Sequence, residues 1–277
     1  MNDIVNAEIQ TIQEKLLKML TFFNNFCEEK GLSYYVVGGT MLGAARHHGF
    51  IPWDDDVDVG MPRNDFEELI KYAGNVFDTY TFETLQSSDT NYCFPFTKLY
   101  DTSTLLIENT RHVLKRGLYI DIFPLDGVGD TKRIAEKHYR KIDIIKTLLK
   151  LRNSPDKNDR NWYKNLVIHS VRLLPNNIAN EKRICQRIDK LCKKYDFNDS
   201  KLVANLVGAW GLKEIMPREY FGKPTLYQFE DIRVFGVERY DDFLTCLYGD
   251  WRKLPPIEKQ ISHHDYSLNL SKSYLED

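Results

Sequence analysis

The chain has 277 residues, 42% of them hydrophobic and 28% charged, and carries a net charge of −2 at pH 7. This composition excludes a fibrous or low-complexity chain, and the length allows one large domain or two modest ones with an ample core. Five cysteines (Cys27, Cys93, Cys185, Cys192, Cys246) form no CxxC pair, and an odd count argues against a full disulfide framework.

The start, MNDIVNAEIQTIQEK, is charged and is not a signal peptide. No apolar run approaches the roughly 18 residues of a spanning helix, so a reducing, cytoplasmic setting is expected. Residues 4–29 place Val5, Ile9, Ile12, Leu16, Leu20 and Phe23 at spacings of three and four. That spacing predicts an amphipathic helix, with Gly31 as its stop. LSYYVVGG reads as a short buried strand ending in Gly38 and Gly39, and TMLGAARHH as a helix start with Thr40 as capping candidate. VDVGM is a second strand, and PRNDFEELIKYAG returns to helix with Pro62 near its start. TYTFETLQ, PFTKLYD and GLYIDIFPLDGV are further strand-like runs.

Residues 131–195 follow a helical period through Ile134, Ile142, Ile145, Leu148 and Leu149, with turns at 152–161 and 174–180. Between 131 and 194 there are 18 Lys/Arg against 6 Asp/Glu, a net of +12, which leaves −14 for the remainder. Such a segment is either a set of solvated helix faces or a surface for an anionic partner. Nucleic acid is not expected, because aromatic-rich binding motifs are absent there; an anionic membrane or a lipid-linked acceptor is. Beyond it, TLYQFEDIRVFGVE predicts a hairpin, RYDDFLTCLYG a helix, and the tail an irregular segment. The pattern is that of an α/β or α+β domain formed by 1–130 and 196–277, with 131–195 as a basic helical insertion or subdomain.

The chemistry concentrates in GFIPWDDDVDVG. If the strand begins by Asp54, alternation puts Asp54, Asp56 and Asp58 on one face and Asp55, Val57 and Val59 on the other. Asp55 is then structural, paired with a nearby cation. Clustered carboxylates repel unless protonated, solvated or bound to a cation, and Mg²⁺ takes one or two carboxylates plus substrate phosphates. The alternative is an acidic surface loop without a ligand; an EF-hand is excluded because its glycine and terminal glutamate are missing. Paired glycines before a helix let a phosphate approach its positive end, and Arg46 would add a charge-assisted contact. Asp121, between Ile120 and Ile122, either completes a metal site, orients an attacking hydroxyl, or caps a turn. Asp126 before Gly127 reads as a turn residue. Lys98 is a phosphate contact or an exposed strand lysine. His263 and His264 either reach the site or stay in solvent.

The run VVGGTMLGAARHHGFIPWDDDVDVGMPRNDFEEL resembles the signature of the LicD family of phosphotransferases. This family lies in the nucleotidyltransferase superfamily that includes DNA polymerase β, with fukutin and the fukutin-related protein as animal relatives. The likeness continues through FPFTKLYDTSTLLIE, GLYIDIFPLDGV and FLTCLYGDWRKLPPIEKQISHH. It implies a DNA polymerase β-like mixed sheet flanked by helices. It also implies transfer of a phospho-alcohol (phosphocholine, ribitol phosphate or glycerol phosphate) from a CDP-linked donor such as CDP-choline, with Mg²⁺ or Mn²⁺ as cofactor. Acceptors in the family are sugar hydroxyls of teichoic acid, lipopolysaccharide or other cell-surface polysaccharide.

By the same resemblance Gly38, Gly39 and Thr40 match the donor turn, Asp56 and Asp58 the metal pair, Asp121 the third carboxylate, and Arg46–His47 the family's Arg-His pair. His48 stands where lysine is common, and Gly236 where proline often stands. Asp54 joins the metal-facing set directly or through water, and Asp121 or His47 takes the acceptor proton. The enzyme would work in the cytoplasm, peripheral to the inner membrane face. The rival expectations are a nucleotidyltransferase that releases pyrophosphate and a non-catalytic cation-binding module.

Overall fold

A computed structural model describes residues 2–87, 92–109, 113–155, 161–173, 175, 180–262 and 266–276. The first helix, α1 (Asn2–Lys30), buries Leu16, Met19, Leu20 and Phe23 completely and ends at Gly31, whose φ is +65°. Each such side chain contributes about 1.5–3 kcal/mol on burial. Strand β1 (Tyr35–Val36) is only two residues long, and α2 (Gly38–His47) starts at the first glycine of the pair. Thr40 is therefore not the N-cap, which is Val37 without a side-chain hydrogen bond.

Strand β2 (Asp58–Pro62) begins at Asp58, four residues later than the alternation argument required. Then follow α3 (Arg63–Leu69), β3 (Val76–Phe77), β4 (Tyr80–Glu83) and the two longest strands, β5 (Thr97–Asn109) and β6 (Val113–Gly129). The basic region holds α4 (Lys132–Asn153), α5 (Trp162–Arg172) and α6 (Glu181–Cys192), as its periodicity predicts. The expected turns at 152–161 and 174–180 fall partly outside the described residues, as do His263 and His264.

Short strands β7 (Leu202–Ala204) and β8 (Met216–Pro217) were not anticipated. Strands β9 (Thr225–Phe229) and β10 (Ile232–Gly236) form the predicted hairpin, and α7 (Tyr240–Tyr248) the predicted helix. The tail is not wholly irregular, because β11 (Tyr266–Asn269) pairs antiparallel with β5.

The strands form one mixed sheet in the order β3-β4-β5-β6-β2-β1-β10-β9, with β11 on β5 and β7–β8 on the far part of β6. Parallel pairing occurs at β2–β6 and β1–β10. One continuous apolar cluster joins α1, the central strands, and Ala135, Tyr139, Ile142, Ile184 and Ile188 of the basic helices. The architecture is a mixed α/β fold whose sheet is flanked by helices.

Candidate active site

Asp58 and Asp121 face each other across the parallel β2–β6 pair, and Lys98 is the register partner of Asp121 on the other side. Three adjacent strands thus carry a row of Asp58, Asp121 and Lys98. The backbone pins this row. Val37 N–H donates to Asp58 O, Asp121 N–H to Val57 O, and Asp58 N–H to Thr40 Oγ1 at 2.9 Å. The Thr40 hydroxyl therefore fixes Asp58 instead of capping α2.

Upstream, the aspartate loop folds back along α2. Gln13 of α1 donates to Ile51 O and Asp54 O, and Glu230 accepts from Phe50 N–H. A Cβ at Gly38 would lie 3.1 Å from Asp58 Oδ2, and one at Gly39 2.8 Å from Asp54 Oδ2. Only glycine lets these carboxylates rest against the helix start, whose unpaired N–H groups and dipole favour negative charge. The end of α2 expected to meet phosphate directly is thus faced by carboxylates. Asp55 is buried, and its Oδ2 accepts from Ser262 Oγ at 2.7 Å.

Burial pushes the Asp58 carboxyl well above the usual carboxylate range; Asp56, Asp121 and Asp54 add to that, and Lys98 opposes it. Asp54, Asp56 and Asp121 thus all act on Asp58 although β2 starts too late for simple alternation. Such a group can stay ionised only beside positive charge. Among the described residues, no three His, Cys, Asp or Glu side chains close a ready-made metal cage. Of the four carboxylates expected from sequence, Asp54 lies over Gly39, and Asp121 Oδ1 accepts from Lys98 Nζ at 2.6 Å. Asp56 and Asp58 carry hard oxygen donors, the chemistry that suits an ion completing its shell with water and phosphate.

Lys98 is not an exposed strand lysine. It is 3% exposed, bonded to Asp121, and has the Tyr119 ring centroid 3.2 Å away and Phe94 and Phe96 at 4.9 and 5.5 Å. Phe94 and Phe96 also line an open cavity of about 520 Å³, together with Tyr139 and Lys146 of α4 and Gly208.

Arg46 and His47 are in the last turn of α2, about 13 Å along the axis from Gly38. Arg46 donates to His47 Nε2 at 3.0 Å and to Trp251 O at 2.8 Å. Burial, together with Arg46 and His48, lowers the His47 pKa, so its ring is neutral and its Nε2 lone pair is engaged. His48 is exposed.

Tyr248 was missed by the residue reading. Burial raises its pKa far above the tyrosine range, and Asp58 and Asp54 add to the effect. Its hydroxyl is therefore a neutral neighbour of the carboxylates, and its ring packs edge-on against Trp210 at 4.6 Å. The available signal was its place in CLYGDW, directly after the buried Leu247 of α7.

Residues 31–151, which include every predicted site residue, match the family described as LicD/FKTN/FKRP, nucleotidyltransferase domain. The lipopolysaccharide cholinephosphotransferase LicD of Haemophilus influenzae is 32% identical over 260 residues, covering 90% of this chain and 92% of that protein. The chain belongs to the LicD family. The ribitol 5-phosphate transferases FKRP of Homo sapiens and Mus musculus are each 53% identical over 59 residues, 20% of this chain and 12% of theirs. Tyr248 lies beyond the matched family segment but within a chain that is LicD-like over most of its length.

Proposed function

We propose that this LicD-family chain is a cation-dependent transferase of nucleotidyltransferase type. It moves a phospho-alcohol from a CDP-linked donor to a sugar hydroxyl and releases CMP. The observation that carries the reading is the row Asp58–Asp121–Lys98 set against the glycine start of α2. Asp56 and Asp58 would hold Mg²⁺ or Mn²⁺, which when bound offsets charge on the donor phosphates and on the leaving CMP. Asp54 and the first turn of α2 shape the rim of that site.

Asp121 accepts the proton of the attacking hydroxyl as its oxygen bonds to the phosphorus distal to the nucleoside. The phosphorus–oxygen bond to CMP breaks, and its electron pair leaves with CMP. Such base assistance is worth about 10²–10⁴ in rate. In this reading Lys98 is a positioning residue that fixes the orientation of Asp121, and Asp121 is preferred to His47 as the base because His47 Nε2 accepts from Arg46. The sugar enters by the cavity walled by Phe94 and Phe96, whose rings also enclose Lys98.

The test is a panel of CDP-choline, CDP-ribitol, CDP-glycerol and CDP-ethanolamine with Mg²⁺, scored for thermal protection and for CMP formed with a glycan acceptor. Asp56→Asn and Asp58→Asn should each lower turnover by about 10²–10³-fold, the effect of losing one preorganised electrostatic group. Full activity in the double variant would overturn the metal assignment. Pyrophosphate release from an NTP, with no CMP from any donor, would favour nucleotidyl transfer instead.

A further inference from the structure

Helix α5 turns an apolar face outward. Trp162 is 75% exposed, Leu166 58% and the C-cap Leu173, just past the helix, 84%, and Tyr163 and Val167 lie beside them, also exposed. Spacings of three, four and seven put these side chains on one side of the helix. Its buried residue, Ile168, lies on the other side, and α4 is the helix it packs against. Single exposed apolar residues are common, but five within twelve positions mark a surface made for contact.

No Asp or Glu occurs between Asn161 and Asn180, and Lys164 and Arg172 are the strong charges of α5. The first half of α4 carries a shallow groove of about 580 Å³ lined by Lys132, Arg133, Glu136, Lys137, Arg140 and Lys141, five cations against one carboxylate. Ile144 at its edge is also exposed. The helix is held at a set angle by Arg152 of α4, which bonds both Val171 O of α5 and Glu181 of α6.

We propose that α5 is a membrane-docking helix: its Trp162–Leu166–Leu173 side lies in the headgroup boundary of an anionic phospholipid bilayer, with the α4 basic groove against the lipid phosphates. Charge selects this occupant. A second copy of the chain would bring one +12 segment against another, and that repulsion works against a symmetric pair. A nucleic acid would use the basic groove but has no use for Leu166, Val167 and Leu173. An anionic bilayer uses both, since Trp and Tyr settle at the headgroup level and Lys and Arg meet the surface charge. The −14 carried by the rest of the chain turns the remaining surface away from the same membrane. The proposal does not depend on the transfer reaction.

The experiment is co-sedimentation of the full chain with equimolar phosphatidylglycerol–phosphatidylcholine vesicles and with phosphatidylcholine vesicles. Binding should favour the anionic vesicles by about tenfold or more and weaken as salt is raised. Trp162→Ser combined with Leu166→Ser should cut anionic-vesicle binding about tenfold while leaving the melting temperature unchanged. Arg133→Glu combined with Arg140→Glu should remove the preference for anionic lipid. Full binding by either variant overturns the proposal. So does a dimer, measured by sedimentation velocity without vesicles, that the Trp162/Leu166 variant abolishes.

Discussion

An ammonium enclosed by aromatic rings and a carboxylate, as at Lys98, has little water to solvate it and rests on its ion pair with Asp121. Lys98→Met removes from Asp121, beside Asp58, the ammonium that bonds it at 2.6 Å. Breaking such a pair from one side should cost about 3 kcal/mol in urea unfolding, and turnover should fall with it; unchanged stability would show the pair to be incidental. Glu214 gives a separate, pH-linked prediction. Burial raises its carboxyl from the ordinary 4.5 to about 7, against the pull of the Trp210 N–H and Lys146. The folded chain holds this proton up to about pH 7 and the unfolded chain only to about 4.5. The stability linked to it is complete below about 4.5 and is lost as pH rises to about 7. The stability of the wild type relative to Glu214→Gln should therefore fall by about 3 kcal/mol over that window. A flat difference in urea unfolding across the same pH range would refute this.

Elements are tied together by a second buried ion pair. Arg63, at the start of α3, donates through Nε and Nη2 to both oxygens of Asp126 on β6, at 2.7 and 2.6 Å. It also reaches Asp189 of α6 at 2.9 Å. Burial works against the Arg63 charge, but Asp126 and Asp189 raise its pKa above the ordinary value. Asp126→Asn should cost about 3–5 kcal/mol, whereas replacing Arg63 and Asp126 together by apolar residues should cost less; a double-mutant cycle on unfolding free energies checks this. Asp126 read as a turn residue because it precedes Gly127, and the sequence alone could not show that β7 arrives from residues 202–204 to continue the strand there. The long helices were legible because a 3.6-residue period repeats many times, while strands of two or three residues have no period to read. At the site, Asp58 and Asp121 were legible as aspartates on two strands, but neither the pairing of those strands nor the burial of Lys98 was. That burial follows from register and from rings at positions 94 and 119.

At the scale of the whole molecule, no helix among the described residues is long and apolar enough to cross a membrane. Stability should instead respond to what the carboxylate cluster binds. A ligand taken up only by the folded chain adds about 2.7 kcal/mol at a hundredfold excess over its Kd. Mg²⁺ with the correct CDP-alcohol should raise the melting temperature of the wild type, and this shift should vanish in Asp56→Asn/Asp58→Asn. An equal shift in that variant would place cation binding elsewhere. The sheet itself has a history written into it. Strand β1, which leads into the start of α2, is completed on its outer side by β10, with Val36 paired to Gly236, 200 positions further along. During synthesis the edge of β1 stays open until that distant hairpin emerges, a wait in which an unpaired strand invites wrong partners. The candidate active site is thus among the last parts of the molecule to become rigid, and nascent chains interrupted before the hairpin are natural clients for chaperones.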